Sequence, residues 1–215
     1  MKFCRIASTL VFALLITQVF SQNPSRTAKS LVNDSVPFHK FSVSTTYLTF
    51  LNSGQEKTNT HHYEFHLGYR LTAKDKIGIK VATWKLFAPM GIQLWDPLFL
   101  NEDEFLPGRL RESGIGITYQ RILWKGLFTS MEVLPLLKTY LDADGKKIGK
   151  GFKLYTSYHI GYQIPLLKGR CYIEPQFHCN NWPVDTDIPQ GFEEKEKKWS
   201  NYFLFEPNLY IGVNF

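Results

Sequence analysis

The stretch His62-Tyr63-Glu64-Phe65-His66-Leu67-Gly68-Tyr69-Arg70-Leu71 decides the fold. Tyr63, Phe65, Leu67, Tyr69 and Leu71 share one face, and His62, Glu64, His66, Gly68 and Arg70 share the other. Successive side chains point to opposite sides only in a strand, so this segment is a strand with one apolar and one polar face. The same alternation recurs along the chain. Strands are expected at 41–51, 62–71, 77–87, 114–124, 127–141, 152–164, 171–179 and 203–215. The apolar faces carry Ile79, Ile117, Leu137, Leu154, Ile173, Phe203, Phe205 and Leu209, among others.

The connections sort by length. Loops are expected at 52–61, 88–113, 142–151 and 180–200, and tight turns at 72–76, 124–126 and 165–169. An even set of strands, each long enough to cross a bilayer when tilted, with long and short connections alternating, implies an all-β fold. The expected architecture is an eight-stranded antiparallel up-and-down transmembrane β-barrel. A soluble lipocalin-like barrel that carries a ligand shares the alternation and stays the structural rival.

The polar face sets Glu64, Glu132, Glu174 and Glu206 against Arg70, Lys80, Lys138 and Lys153. A barrel of this size is just wide enough for side chains to fill it. Charges buried there must be paired and hydrogen-bonded, so these eight residues are expected to form a lumen charge network that plugs the barrel. The apolar face is almost free of charge, with Arg121 as the main exception. Pro135, Pro175 and Pro207 fall inside expected strands, where each removes a ladder donor.

Composition narrows the class. The chain has 215 residues, 44% hydrophobic and 20% charged, which fits one domain and excludes a disordered chain. Aromatics at 15% favour strands. A net charge of +6, scattered along the chain, gives no basis for nucleic-acid binding. Mean hydropathy is only −0.20, as expected when apolar and polar residues alternate.

Met1-Lys2-Phe3-Cys4-Arg5, the apolar run from Leu10 to Ile16, and Val19-Phe20-Ser21 form the three-part pattern of a secretory signal peptide. The expected organisation is a signal peptide at 1–21, a periplasmic N-terminal segment at 22–37 and a barrel at 38–215. No long apolar run follows residue 22, which excludes a helical membrane protein. Cys171 and Cys179 are roughly 26 Å apart along one expected strand, too far for a disulfide.

The signal pattern, the eight strands and the ending Asn208-Leu209-Tyr210-Ile211-Gly212-Val213-Asn214-Phe215 resemble the small bacterial outer-membrane β-barrels of the OmpA/OmpX type. The resemblance covers nearly all of the mature chain. It implies the bacterial outer membrane as location, and outer-membrane lipid and lipopolysaccharide as surroundings. It also implies that Phe215, Val213 and Ile211 form the signal read by the barrel-assembly machinery. The family includes structural, adhesive and enzymatic members, so fold does not give function.

Candidate chemistry is sparse. His178-Cys179-Asn180 and Ser157-Tyr158-His159 are the hydrolase-like groupings. Lipid A deacylase barrels carry His-x-Ser, whereas this chain has the reverse order. His178 and Cys179 point to opposite faces, against a base–nucleophile pair. His62, Glu64 and His66 share a face but match no metal-ligand spacing, and Asp142-Ala143-Asp144-Gly145 reads as a hairpin turn. No metal or cofactor is expected. Trp95, Trp182 and Trp199, placed in the long loops, are candidates for binding a glycan or a protein partner. The leading expectation is a non-catalytic outer-membrane barrel, structural, adhesive or a subunit of an assembly. A lipid-modifying hydrolase of the outer leaflet and a soluble ligand carrier are the alternatives.

Overall fold

Alternation along each strand becomes hydrogen-bonded pairing around a ring. The computed structural model describes residues 39–50, 52 and 61–215. The strands are β1 (Phe41–Thr46), β2 (His61–Arg70), β3 (Asp75–Leu86), β4 (Arg109–Trp124), β5 (Leu127–Leu141), β6 (Lys147–Tyr162), β7 (Ile164–Leu166), β8 (Cys171–Asp185) and β9 (Tyr202–Asn214), with one α-helix among the described residues, α1 (Gln190–Glu196). Neighbours in sequence pair antiparallel from β1 to β6, β9 joins β1 to β8, and β6 pairs with β8 to close the ring. The short β7 continues β6 along the same edge of β8, so the wall is an eight-stranded antiparallel barrel. Phe41 and Phe215 exchange both backbone hydrogen bonds, at 3.0 and 2.9 Å, which ties the last residue to the first strand.

One end of the barrel carries tight turns. Lys125 and Gly126 both have positive φ (44° and 99°), the geometry of a two-residue hairpin turn matched to strand twist. The other end carries the connections 47–60, 87–108, 142–146 and 186–201. These are the turn end and the loop end below.

Several strands reach further toward the loop end than their pattern indicates. Residues 109–113 open β4, 147–151 open β6 and 180–185 finish β8, all in segments expected as loops. There the outward residues include Arg109, Arg111, Ser113, Lys150 and Asn181, so apolar alternation fades while pairing continues. β1 is shorter than expected: 47–50 form a 3₁₀ turn. The expected signal peptide and the segment 22–37 lie outside the described residues.

Phe203 is corrected from the outward face to the interior, where it is 7% exposed. Opposite Asn180 and His178, β9 spends three residues where β8 spends two. Phe205 in this bulge has φ +53° and points outward, 63% exposed. The extra residue reverses the parity of everything before it.

Each strand proline meets a break in the ladder. Pairing of β4 with β5 is interrupted between Gly114 and Ile117, opposite Pro135. Pairing with β8 lapses between Gly161–Gln176 and Ile164–Ile173, the stretch in which Pro175 lies opposite Tyr162. Odd-numbered residues near the end of β9 aim their N–H groups at β1, as Phe215 does, and β1 ends at Thr46, before it reaches Pro207. All three rings are exposed on the outward face.

Candidate functional site

The interior divides into layers. At mid-height Lys80 sits between Glu64 (3.1 Å) and Glu132 (2.6 Å). Glu64 also meets His66 at 2.8 Å and His62 at 3.2 Å, and accepts the hydroxyl hydrogen of Tyr210. His159 approaches Glu132 at 3.5 Å without hydrogen-bond geometry. Next to this layer Ser157 donates to Asn180 (2.6 Å). Asn180 donates to Glu206 (2.8 Å), which His178 meets at 2.8 Å.

Toward the loop end, Lys153 contacts Glu112 at 2.6 Å and Asp185 at 3.6 Å, and Lys138 pairs with Asp185. The indole of Trp84 donates to Glu112 at 2.6 Å. Around these ion pairs lie Ala82, Leu134, Leu136, Tyr155, Trp182 and Phe203, a buried apolar cluster inside the barrel. Toward the turn end, Glu174 accepts from Gln120 (2.9 Å) and Gln163 (2.7 Å), with Lys76 at 3.7 Å. A cavity of about 30 Å³ remains there, room for roughly two waters.

Of the eight residues expected in the lumen network, Glu64, Lys80 and Glu132 meet in one cluster. Lys138 and Lys153 belong to the loop-end cluster, and Glu206 and Glu174 each sit in their own. Arg70 forms no ion pair among the described residues. Glu112, Asp185 and Lys76 were not in that set. Glu112 and Asp185 occupy segments expected as loops; inward parity with Gly114 was the available signal for Glu112, whereas a bulge between Asn181 and Val184 reverses the parity of β8 and left Asp185 without one.

The loop end is roofed. Leu106, Leu110, Tyr140 and Phe192 form a second buried cluster, with the Tyr140 and Phe192 rings edge to face at 5.0 Å. Glu104, buried in the 87–108 loop, binds Lys198 and accepts from the Trp199 indole at 3.1 Å. The Lys198 hydrogen bond, joined by Trp199, holds the Glu104 carboxyl below the usual carboxylate range. The Gln93 amide donates to Ser200 (3.1 Å) and Tyr202 (2.8 Å) and accepts from the Leu204 N–H (2.9 Å), stitching this loop to β9. Burial among Glu112 and Asp185 pushes the Glu196 carboxyl of α1 up, against the opposing pull of Lys153 and Lys138.

The three loop tryptophans separate. Trp182 is corrected: it lies on β8, 3% exposed, stacked with Tyr155 and under the Lys153 ammonium. Extension of β8 past residue 179 moves it from loop to core. Trp199 is held by Glu104. Trp95 is 61% exposed, in a turn that also presents Leu94, Phe99 and Leu100.

The hydrolase-like groupings make no nucleophile–base contact. Ser157 bonds to an amide, and the His159 and His178 rings meet each other at 4.9 Å. No three His, Cys, Asp or Glu side chains among the described residues converge on a metal site. Asp142 caps a hairpin, accepting from the Asp144 (3.1 Å) and Lys146 (2.8 Å) N–H groups.

The outward surface is the counterpart of this interior. Between Asp75 at the turn end and Lys85 at the loop end, outward positions of β2 to β6 carry no charge other than the Arg121 that Asp75 pairs with. Arg121 contacts Asp75 at 2.7 Å, and the Tyr119 hydroxyl donates to the same carboxylate at 2.7 Å. The exception on the apolar face is thus neutralised at its rim.

No protein-family model matches the chain, nor does any curated protein. Among solved structures the chain is similar to the crystal structure of Neisserial surface protein A. That likeness has a TM-score of 0.42 and 11% identity, covering 82% of this chain and 94% of that one.

Proposed function

We propose that this chain is an integral bacterial outer-membrane barrel that acts through its outer surface, without a conducting pore and without catalysis. The height of the uncharged outward band carries the reading. Asp75 and Lys85 are ten residues apart on β3. At about 3.3 Å per residue and a tilt of about 40°, that is about 25 Å, the apolar height of outer-membrane barrels. Every charge within that height other than the Asp75–Arg121 rim pair points inward, where ion pairs and an aromatic cluster fill the space.

Ile211, Val213 and Phe215 are all exposed on the outward face, Phe215 stacked on Phe41 at 6.1 Å. That accessibility suits reading of the terminal strand by the barrel-assembly machinery. The exposed Leu94, Trp95, Phe99 and Leu100 suit a protein partner at the loop end, in a structural, adhesive or assembly role.

Cell fractionation tests the location. The mature protein is expected in outer membranes and resistant to carbonate extraction. Recovery in the soluble periplasm would sink the reading and favour a ligand-carrying barrel. Cysteine placed at 154 should react with apolar maleimides and not with charged ones.

A further inference from the structure

The loop-end border of the uncharged band differs from its turn-end border. His61 pairs across the sheet with Lys85, Lys85 with Arg111, Arg111 with Thr139 and Thr139 with Lys150. The strand alternation that points Ile79, Ile117 and Leu137 outward points these five the same way. They form one row across five strands, roughly 19 Å wide at about 4.8 Å per strand. Arg109 lies one outward position beyond Arg111 on β4.

Nothing among the described residues balances this row. No outward position of β2 to β6 beyond Asp75 carries a carboxylate. Neither Lys85, Arg111 nor Lys150 forms an ion pair with a described residue. Lys85 is only 7% exposed, and the charges acting on it are the like charges of Arg111 and Arg109. A covered cation facing cations is costly until an anion joins it. At the turn end, by contrast, Arg121 has its own carboxylate.

We propose that His61, Lys85, Arg111 and Lys150 form a binding site for the phosphate groups of an outer-leaflet lipid of the lipid A class. The inference rests on the membrane reading above, which sets the row at headgroup height, immediately above the acyl-chain zone. Phosphate oxygens accept charge-assisted hydrogen bonds from Arg and Lys, and a ladder of cations spans more than one phosphate. The uncharged band beneath receives the chains of the same molecule.

The test uses the folded full barrel in nanodiscs of zwitterionic lipid, with binding followed by native mass spectrometry. The probes are diphosphorylated lipid A, its dephosphorylated form and inorganic phosphate. Diphosphorylated lipid A is expected to bind at least tenfold more tightly than the dephosphorylated form and to weaken with added salt. Lys85→Gln/Arg111→Gln/Lys150→Gln should lose at least tenfold, whereas Lys125→Gln/Lys168→Gln at the turn end should bind as the parent does. Equal binding of both lipid forms, or full binding by the triple variant, would overturn the site. Displacement of the lipid by millimolar inorganic phosphate would overturn the lipid assignment. Should the triple variant not fold, the phosphate and salt dependence of the parent decide. A parent barrel that fails to enter nanodiscs counts against the membrane reading instead.

Discussion

Lys153 and Leu154 are consecutive residues of β6 in opposite surroundings. Lys153 is 0% exposed, with Glu112 at 2.6 Å, Asp185 at 3.6 Å and the Trp182 ring beneath its ammonium. Leu154 looks outward from a wall where no unpaired charge appears for about 25 Å. The contrast teaches where this barrel tolerates charge. Inside, a fixed partner offsets desolvation. Outside, charge is confined to the borders among the described residues, and within the band only Arg121 appears, at its rim, with Asp75 as partner.

Breaking the interior half of the contrast has the largest expected effect. Glu112→Ala leaves Lys153 with only the longer Asp185 contact and strips the Trp84 indole of its acceptor. Removing one member of a buried pair costs about 3–5 kcal/mol, read by denaturant unfolding of the barrel in lipid vesicles. A loss below about 1 kcal/mol would mean that water reaches this pair.

The outward half comes next. Leu154→Lys puts an ammonium at mid-height and should cost about 2–4 kcal/mol. Leu137→Lys sits one row below the basic border, where the penalty falls to about 0–1 kcal/mol. Equal losses at 154 and 137 would contradict a bilayer of the assigned height. A smaller effect separates the two ends of the interior. Glu174 lies beside a water-sized cavity and is held by two amides and a longer Lys76 contact. Glu174→Gln should therefore cost only about 1 kcal/mol in the same unfolding assay, the worth of an ordinary hydrogen bond.

Strand order and facing were legible wherever one side meets an apolar medium. The range 127–141 is legible to the residue, because Leu127, Met131, Val133 and Leu137 alternate with Ser130, Glu132 and Lys138. Legibility ended where that medium ends. Arg109, Arg111 and Lys150 face outward above the band, so their segments looked like loops, and Glu112 and Asp185 were missed with them. The inner cluster of Leu134, Leu136, Tyr155 and Trp182 was hidden for another reason. Apolar residues on both faces erase alternation, and only the closed ring shows which ones meet. The Phe205 bulge leaves no mark in composition, so the parity of Phe203 was unreadable.

The smallest expected effect concerns the roof, which neither medium controls. Glu104 joins the 87–108 loop to Lys198 and Trp199 of the 186–201 loop. Its folded pKa lies below the ordinary value, chiefly through the Lys198 hydrogen bond. Such a group stabilises the roof fully above its unfolded pKa, and that contribution is lost as pH falls through the lower, folded pKa. Acidification below the usual carboxylate range should therefore release Trp199 while the barrel wall, held by its ladders, stays intact. The expected readout is a red shift of Trp199 emission in a variant with the other four tryptophans replaced by Phe, with no loss of β-sheet circular dichroism. Glu104→Gln should give the released spectrum already at neutral pH and leave unfolding of the wall nearly unchanged. An emission midpoint at or above the ordinary Glu value, or concurrent loss of sheet signal, would show that the roof is held by the Tyr140–Phe192 cluster and not by Glu104.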